Sequence, residues 1–244
     1  MITAEPSPLF RRLMAEYVRR RARRHLAEIR MSGAAVLEPW NRESAPQSPL
    51  ILIANHSSWW DAMLPIHLSF NRYDFDAYGM MEERQLKRFG FFRKVGMFSV
   101  DRGDGRGALE SIDYAADLIR GTGRALWLFP QGEIVPNDRR PIAFGSGTAR
   151  LLAAVGSASV APVAFRYEVI EGERPSVFIR VGAVQSYSVP RETPVHIITA
   201  MLQGALTETV DRLRDDVVGG SLEEYRMVLR GRRSIDVWWD GVRG

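Results

Sequence analysis

The 244-residue chain contains no cysteine. Disulfide bonds, thiolate metal sites and a cysteine nucleophile are therefore excluded, a composition that fits a reducing compartment. No apolar run approaches the ~18 residues that span a bilayer. The N-terminal stretch lacks the apolar core of a leader, so no signal peptide is expected. Of the four histidines, His25, His67 and His196 have no partner at metal-ligand spacing, and no metal site is expected. No serine sits in a Gly-x-Ser-x-Gly elbow, which argues against a standard serine hydrolase. A Walker lysine and a complete dinucleotide fingerprint are also missing.

What is present suits one large domain, or one domain with a small appendage. Apolar residues make up 45% of the chain, enough for a substantial core. The net charge of +4 is unevenly placed. Between Leu9 and Arg30 lie eight arginines against Glu16 and Glu28, leaving that stretch at +6 and the remainder near −2. Residues 9–31 carry no glycine or proline and are expected to be helical. On a helical wheel Phe10, Leu13, Met14 and Tyr17 share one face. Val18, Ala22, Leu26 and Ile29 lie beside them, and Arg12, Arg19, Arg23 and Arg30 lie opposite. Two settings fit such a pattern: a lipid headgroup layer, or the flank of its own domain with a solvated charged side.

A polar stretch at 39–49 reads as a linker, and two units are expected: 1–40, helix and start of the linker, and 41–244, a single domain. Strands are expected at 50–54, 75–79, 97–100, 125–129, 159–165 and 176–182. Helices are expected at 60–69, 82–89, 105–121, 143–154, 194–217 and 222–230. For the last helix, Ser221 and Glu224 stand at capping-box spacing and Gly231 follows its end. Alternating strands and helices imply an α/β class: a largely parallel sheet flanked by helices, with the N-terminal basic amphipathic helix in front.

Three stretches have the character of sites. In ILIANHSSWWDAML, residues 51–64, an apolar strand runs into Asn55-His56, and a carboxylate follows at Asp61. A neutral imidazole accepts protons near neutral pH, and a carboxylate on its other nitrogen fixes the tautomer. The spacing from Ser58 to Asp61 is also that of a capping box, so a purely structural role for Asp61 fits the same letters. In SVDRGDGRG, residues 99–107, glycines and Arg102 precede a helix, a plausible corner for an anion that also reads as an ordinary connection. In LWLFPQGEIVPND, residues 126–138, a buried strand ends in Gln131-Gly132-Glu133, where open α/β sheets bind ligands.

In this order the stretches resemble the PlsC-type glycerolipid acyltransferases, which include the 1-acyl-glycerol-3-phosphate acyltransferases. The likeness spans roughly residues 50–165. It rests on Asn55-His56 with Asp61 (a His-x4-Asp motif), on Gly96 to Asp101-Arg102, on Phe129-Pro130-Gln131-Gly132-Glu133-Ile134, and on the apolar strand around Pro162. The resemblance implies acyl transfer from a thioester of CoA or acyl carrier protein to a lipid hydroxyl, with no bound cofactor. His56 would act as base and Asp61 would orient it. Asn55, Arg102, Gln131, Gly132 and Glu133 would form the substrate site, with amides near Gly132 as candidates for an oxyanion. The expected setting is the inner face of the cell membrane, bound peripherally, with lipid and no nucleic acid as partner. The third motif departs from the family's Phe-Pro-Glu-Gly-Thr-Arg, with Ile134 where an arginine would pair with phosphate. Arg139 and Arg140 follow and are candidates to compensate. The departure points toward a less anionic acceptor, such as a glycosylated or amino lipid, or toward a catalytically silent lipid- or anion-binding module.

Overall fold

The computed structural model describes residues 1–232 apart from 102, 104, 171 and 191. In chain order the elements are α1 (Pro8–His25), β1 (Glu28–Ser32), β2 (Leu50–Ala54), α2 (Leu64–His67), β3 (Ala77–Glu82), α3 (Glu83–Arg88), β4 (Met97–Val100), α4 (Gly105–Ile119), β5 (Ala125–Leu128), α5 (Gly147–Val155), β6 (Ser157–Glu168), β7 (Ser176–Val181), β8 (Gln185–Ser188), α6 (Val195–Gly219) and β9 (Arg226–Arg230). Nine strands form one sheet in the order β4-β3-β5-β2-β6-β7-β1-β9, with β8 on β6. The run from β4 to β6 is parallel, and β7 turns back antiparallel on β6. The expected mostly parallel α/β architecture is present.

Burial explains the order. All five residues of β2, Leu-Ile-Leu-Ile-Ala, are buried, because helices cover both faces of the central strands. One face packs Ile112 and Ala116 of α4, Leu152 of α5 and the α6 stripe Ile198, Leu202, Leu206, Val210 and Leu213. That stripe keeps the three-and-four spacing expected for 194–217. The other face packs Ala22, Leu26, Leu64 and Phe75. Leu50 to Ala54 pair with Ser159 to Val163, so β2 ends five residues before β6 does, and its polar turn opens beside the overhang.

Three expected helices are corrected. The helix expected over 9–31 stops at His25, and residues 28–32 form β1, parallel to β7 and antiparallel to β9. Ile29 and Met31 are buried while Glu28 and Arg30 are not, a period of two rather than 3.6. The boundary expected near residue 40 therefore has a strand of the same sheet on its N-terminal side. The helix expected over 222–230 is a turn, closed by Tyr225 N–H onto the Leu222 carbonyl at 3.0 Å, followed by β9. The open edge of β1 recruits Arg226–Arg230 as a strand, and a capping-box spacing alone does not outweigh a ladder partner. The segment expected as one helix over 60–69 is a 3-10 turn at Trp59–Ala62, the single α2 turn beginning Leu64-Pro65, and a π-helical turn at Leu68–Arg72.

Helix α1 packs on the domain. Arg11, Ala15, Val18 and Ala22 face inward. Arg11 is buried and its guanidinium donates to Val95 O, Asp76 Oδ1 and Ala77 O, each at 2.8 Å. Its plane lies over Phe70 and Tyr78, 5.1 and 5.0 Å from their centroids. The outward side carries Leu9, Leu13 and Tyr17, then Arg20, Arg21 and Arg24, all exposed. No helix of the described residues is long and apolar enough to cross a membrane.

Candidate active site at the carboxyl edge of the sheet

The polar turn after β2 builds the site. Ser58 is extended (φ −148°, ψ 154°) and caps the 3-10 turn, accepting from Trp60 N–H at 3.2 Å. Asp61, at the third position of that turn, is fully buried. Its Oδ2 accepts the backbone N–H of Ser57 at 2.5 Å and of Ser58 at 2.7 Å. The same oxygen lies 3.0 Å from His56 Nδ1. The helix cap and the histidine partner are thus one carboxylate, and the two readings of the sequence hold together. A carboxylate only accepts, so the neutral ring carries its proton on Nδ1 and its lone pair on Nε2. His56 keeps 19% of its side chain exposed.

The ring is held from several directions. His56 N–H donates to Gln131 Oε1 at 2.7 Å, and its carbonyl accepts from Val135 N–H at 2.9 Å. The Phe129 ring packs 4.7 Å from the imidazole centroid, tilted by 32°. The third motif is therefore a clamp on the first. Asp61 Oδ1 faces β6, where the Tyr167 hydroxyl donates to it at 2.5 Å. Burial, and then the charge of Asp61, push the Tyr167 phenol well above its usual range, so it stays protonated and a donor. Tyr167 carries no motif signal; it lies just past the strand end expected at 165, and only the extension of β6 brings it to Asp61.

The remaining sequence candidates divide. Asn55 is buried and turned into the protein: it accepts from Phe165 N–H at 2.8 Å and donates to Phe165 O at 3.0 Å and Asn137 Oδ1 at 2.8 Å. As a substrate ligand it is corrected to a fastener between the first motif and β6. Gln131 points its carbonyl at His56 N–H and acts on the ring's own backbone. Gly132 adopts φ +70°, where a side chain would be strained, and its N–H closes the turn onto Phe129 O at 2.9 Å. That amide is already engaged, which removes it as an oxyanion donor. Glu133 is exposed on the same turn. Arg140 is held by Asp211 and by the carbonyls of Asn137 and Arg139, so it does not replace the missing arginine. Arg139 is exposed. Arg102 lies outside the described residues, as do Trp238 and Trp239. A cavity of about 560 Å³ is lined by Glu82, Glu83, Arg84, Lys87, Val100, Asp101 and Gly103.

Large apolar side chains stand exposed on the turns around His56. Trp59, Ile134, Val169 and Ile170 are each more than half exposed. Trp59 joins this rim to α1, because the Arg21 guanidinium lies 5.5 Å from its ring centroid. Apolar groups left in water beside cations mark a surface that meets something else.

A family model described as acyltransferase matches residues 37–166, just over half of the chain and including both His56 and Asp61. Among curated proteins, none matches this chain in sequence.

Proposed function

The chain belongs to the family of PlsC-type glycerolipid acyltransferases, and from that premise we propose that it moves a fatty acyl group from a thioester, of CoA or acyl carrier protein, to the hydroxyl of a membrane lipid. The observation that carries the reading is the 3.0 Å contact of His56 Nδ1 with buried Asp61. In this mechanism Nε2 of His56 takes the proton of the lipid hydroxyl as its oxygen attacks the thioester carbonyl. Asp61 stabilises the imidazolium that forms. The tetrahedral intermediate collapses with cleavage of the carbon–sulfur bond, and the imidazolium returns its proton to the departing thiolate. Products are an ester and a free thiol. No cofactor takes part.

The acceptor is proposed to carry free hydroxyls and little negative charge near the third motif, because Glu133 and Ile134 stand exposed there and Arg140 is paired. Glycosylated and amino lipids fit this chemistry. Binding is proposed to be peripheral, at the inner face of the cell membrane. The apolar rim around His56 and the outward residues Leu9, Leu13 and Tyr17, with Arg20, Arg21 and Arg24 beside them, support an anionic bilayer as the partner.

The test is transfer of labelled acyl groups, from both donors, to a panel of lipid acceptors. His56→Ala is expected to lower turnover by about 10²–10⁴-fold. Unchanged turnover rejects the assignment. The position of Glu133 and Ile134 favours a second reading, a lipid-binding module without chemistry. Thiol release that stays at background across the whole panel, with vesicle binding intact, would select it.

A further inference from the structure

We propose that Tyr167 is a positioning residue for the His56–Asp61 pair: its hydroxyl holds Oδ1 of Asp61 and thereby sets the carboxylate's orientation and its hold on the imidazole. The proposal rests on the acyl-transfer reading only for its consequence in turnover. Its physical content concerns one buried carboxylate and stands apart from any substrate.

Asp61 divides its acceptor positions between two oxygens. Oδ2 takes two backbone amides and the ring nitrogen. Oδ1 takes the Tyr167 hydroxyl. Without that hydroxyl, one oxygen of a fully buried carboxylate loses its donor, and the torsion that aims Oδ2 at His56 loses a restraint. The hydroxyl also draws charge away from the carboxylate. Removing it frees Oδ1 and lets the carboxylate turn away from the ring. Tyr167 itself is fixed by the ladder, paired in register with Val177 of β7. The hairpin formed by β6 and β7 is in this way part of the site.

The groups around the pair are few. From β6 comes Tyr167. From the 129–135 turn come Phe129 and Gln131, with Glu133 exposed beyond them. From the 58–62 turn come Ser58 and Trp60, and α1 sets His25 against Trp60, with ring centroids 6.4 Å apart. Among the described residues, His56 and Tyr167 are the ionisable side chains that hydrogen-bond to Asp61.

The experiment follows the low-field Nδ1–H signal of His56 in full-length protein with isotope-labelled histidine, assigned by its loss in His56→Ala. In Tyr167→Phe that signal is expected to broaden and shift, because the carboxylate that accepts it is no longer held. In acyl-transfer assays kcat is expected to fall about tenfold while KM changes less than about twofold. Replacement of Tyr167 by 3,5-difluorotyrosine keeps the side chain and strengthens the donor. It is expected to shift the same signal while keeping it sharp, and it carries the test should the phenylalanine variant fold poorly. A His56 signal that is the same in wild type and in the fluorinated protein overturns the proposal. Turnover that survives His56→Ala rejects the catalytic reading instead, and leaves the signal to decide the role of Tyr167.

Discussion

Asp61 joins local structure to chemistry in a single residue. Its Oδ2 caps a turn and faces an imidazole, so its loss has two separable effects. Asp61→Asn is expected to keep much of the cap and the ring contact through an oxygen in the Oδ2 position, while the negative charge that stabilises the imidazolium is lost and an NH2 group takes the place of Oδ1 against Tyr167. Turnover should fall by about 10²-fold or more, with loss of stability near 1 kcal/mol. Thermal unfolding and acyl transfer measured on one preparation check the split. Gln131 is expected to behave differently. Gln131→Ala leaves His56 N–H without its 2.7 Å acceptor and loosens the turn, so kcat should fall with little change in apparent affinity for the lipid acceptor. A raised KM with unchanged kcat would instead make Gln131 a substrate ligand, the role its place in the motif suggests.

Elements hold these residues through a few buried polar contacts. Arg11 ties α1 to the sheet, and its partner Asp76 is shared with Arg124 at 3.1 Å. Burial alone would raise the Asp76 carboxyl, but the hydrogen bonds and charges of Arg11 and Arg124 outweigh it and hold the group below its usual range. The ion pairs therefore add stability above the unfolded carboxylate pKa, and this is lost as pH falls through the lower folded value. Arg11→Met leaves Asp76 and two carbonyls short of donors and is expected to destabilise the protein by roughly 3 kcal/mol in chemical denaturation. His67 works in the opposite sense. Burial, and then the nearby Arg19, push its pKa down to about 4. Its Nδ1 lies 2.9 Å from Asn71 Nδ2, and its buried Nε2 has no hydrogen-bond partner among the described residues. The unfolded chain takes up this proton near the ordinary value of ~6.5, the folded chain only near 4, so stability should fall between those values at up to about 1.4 kcal/mol per pH unit. Denaturant midpoints across that window, in wild type and His67→Leu, check it: the variant should lose the slope.

On the surface of the molecule, cations and apolar side chains meet where Arg21 of α1 lies over Trp59, three residues from His56 in the chain. In the bilayer reading, Leu13→Glu combined with Trp59→Ala should weaken flotation with vesicles containing anionic lipid by about tenfold, and raised salt should weaken the wild type as well. Flotation unchanged by the double variant would place the contact surface elsewhere. Activity toward a short-chain, water-dispersed acceptor should change far less than activity on vesicles, because neither substitution touches the imidazole.

The sequence by itself determined the architecture and the centre of the site. Buried runs such as Leu50–Ala54 and the α6 stripe state their periods locally, and His56, Ser58 and Asp61 lie within one turn, so short-range geometry was enough to bring them together. It also marked the third motif as a neighbour of the first without saying how it acts. The tertiary structure alone decided whatever depends on a partner distant in the chain. Residues 28–32 became a strand because β7 and β9 offer hydrogen-bonding edges, and Arg226–Arg230 followed them. Asn55 turned inward because Phe165 presents both of its backbone groups there, and Tyr167 reached Asp61 because β6 runs beyond the end of β2. Hydrogen bonds between residues about a hundred positions apart leave no period in the letters, since the energy that selects them exists only once the strands lie side by side.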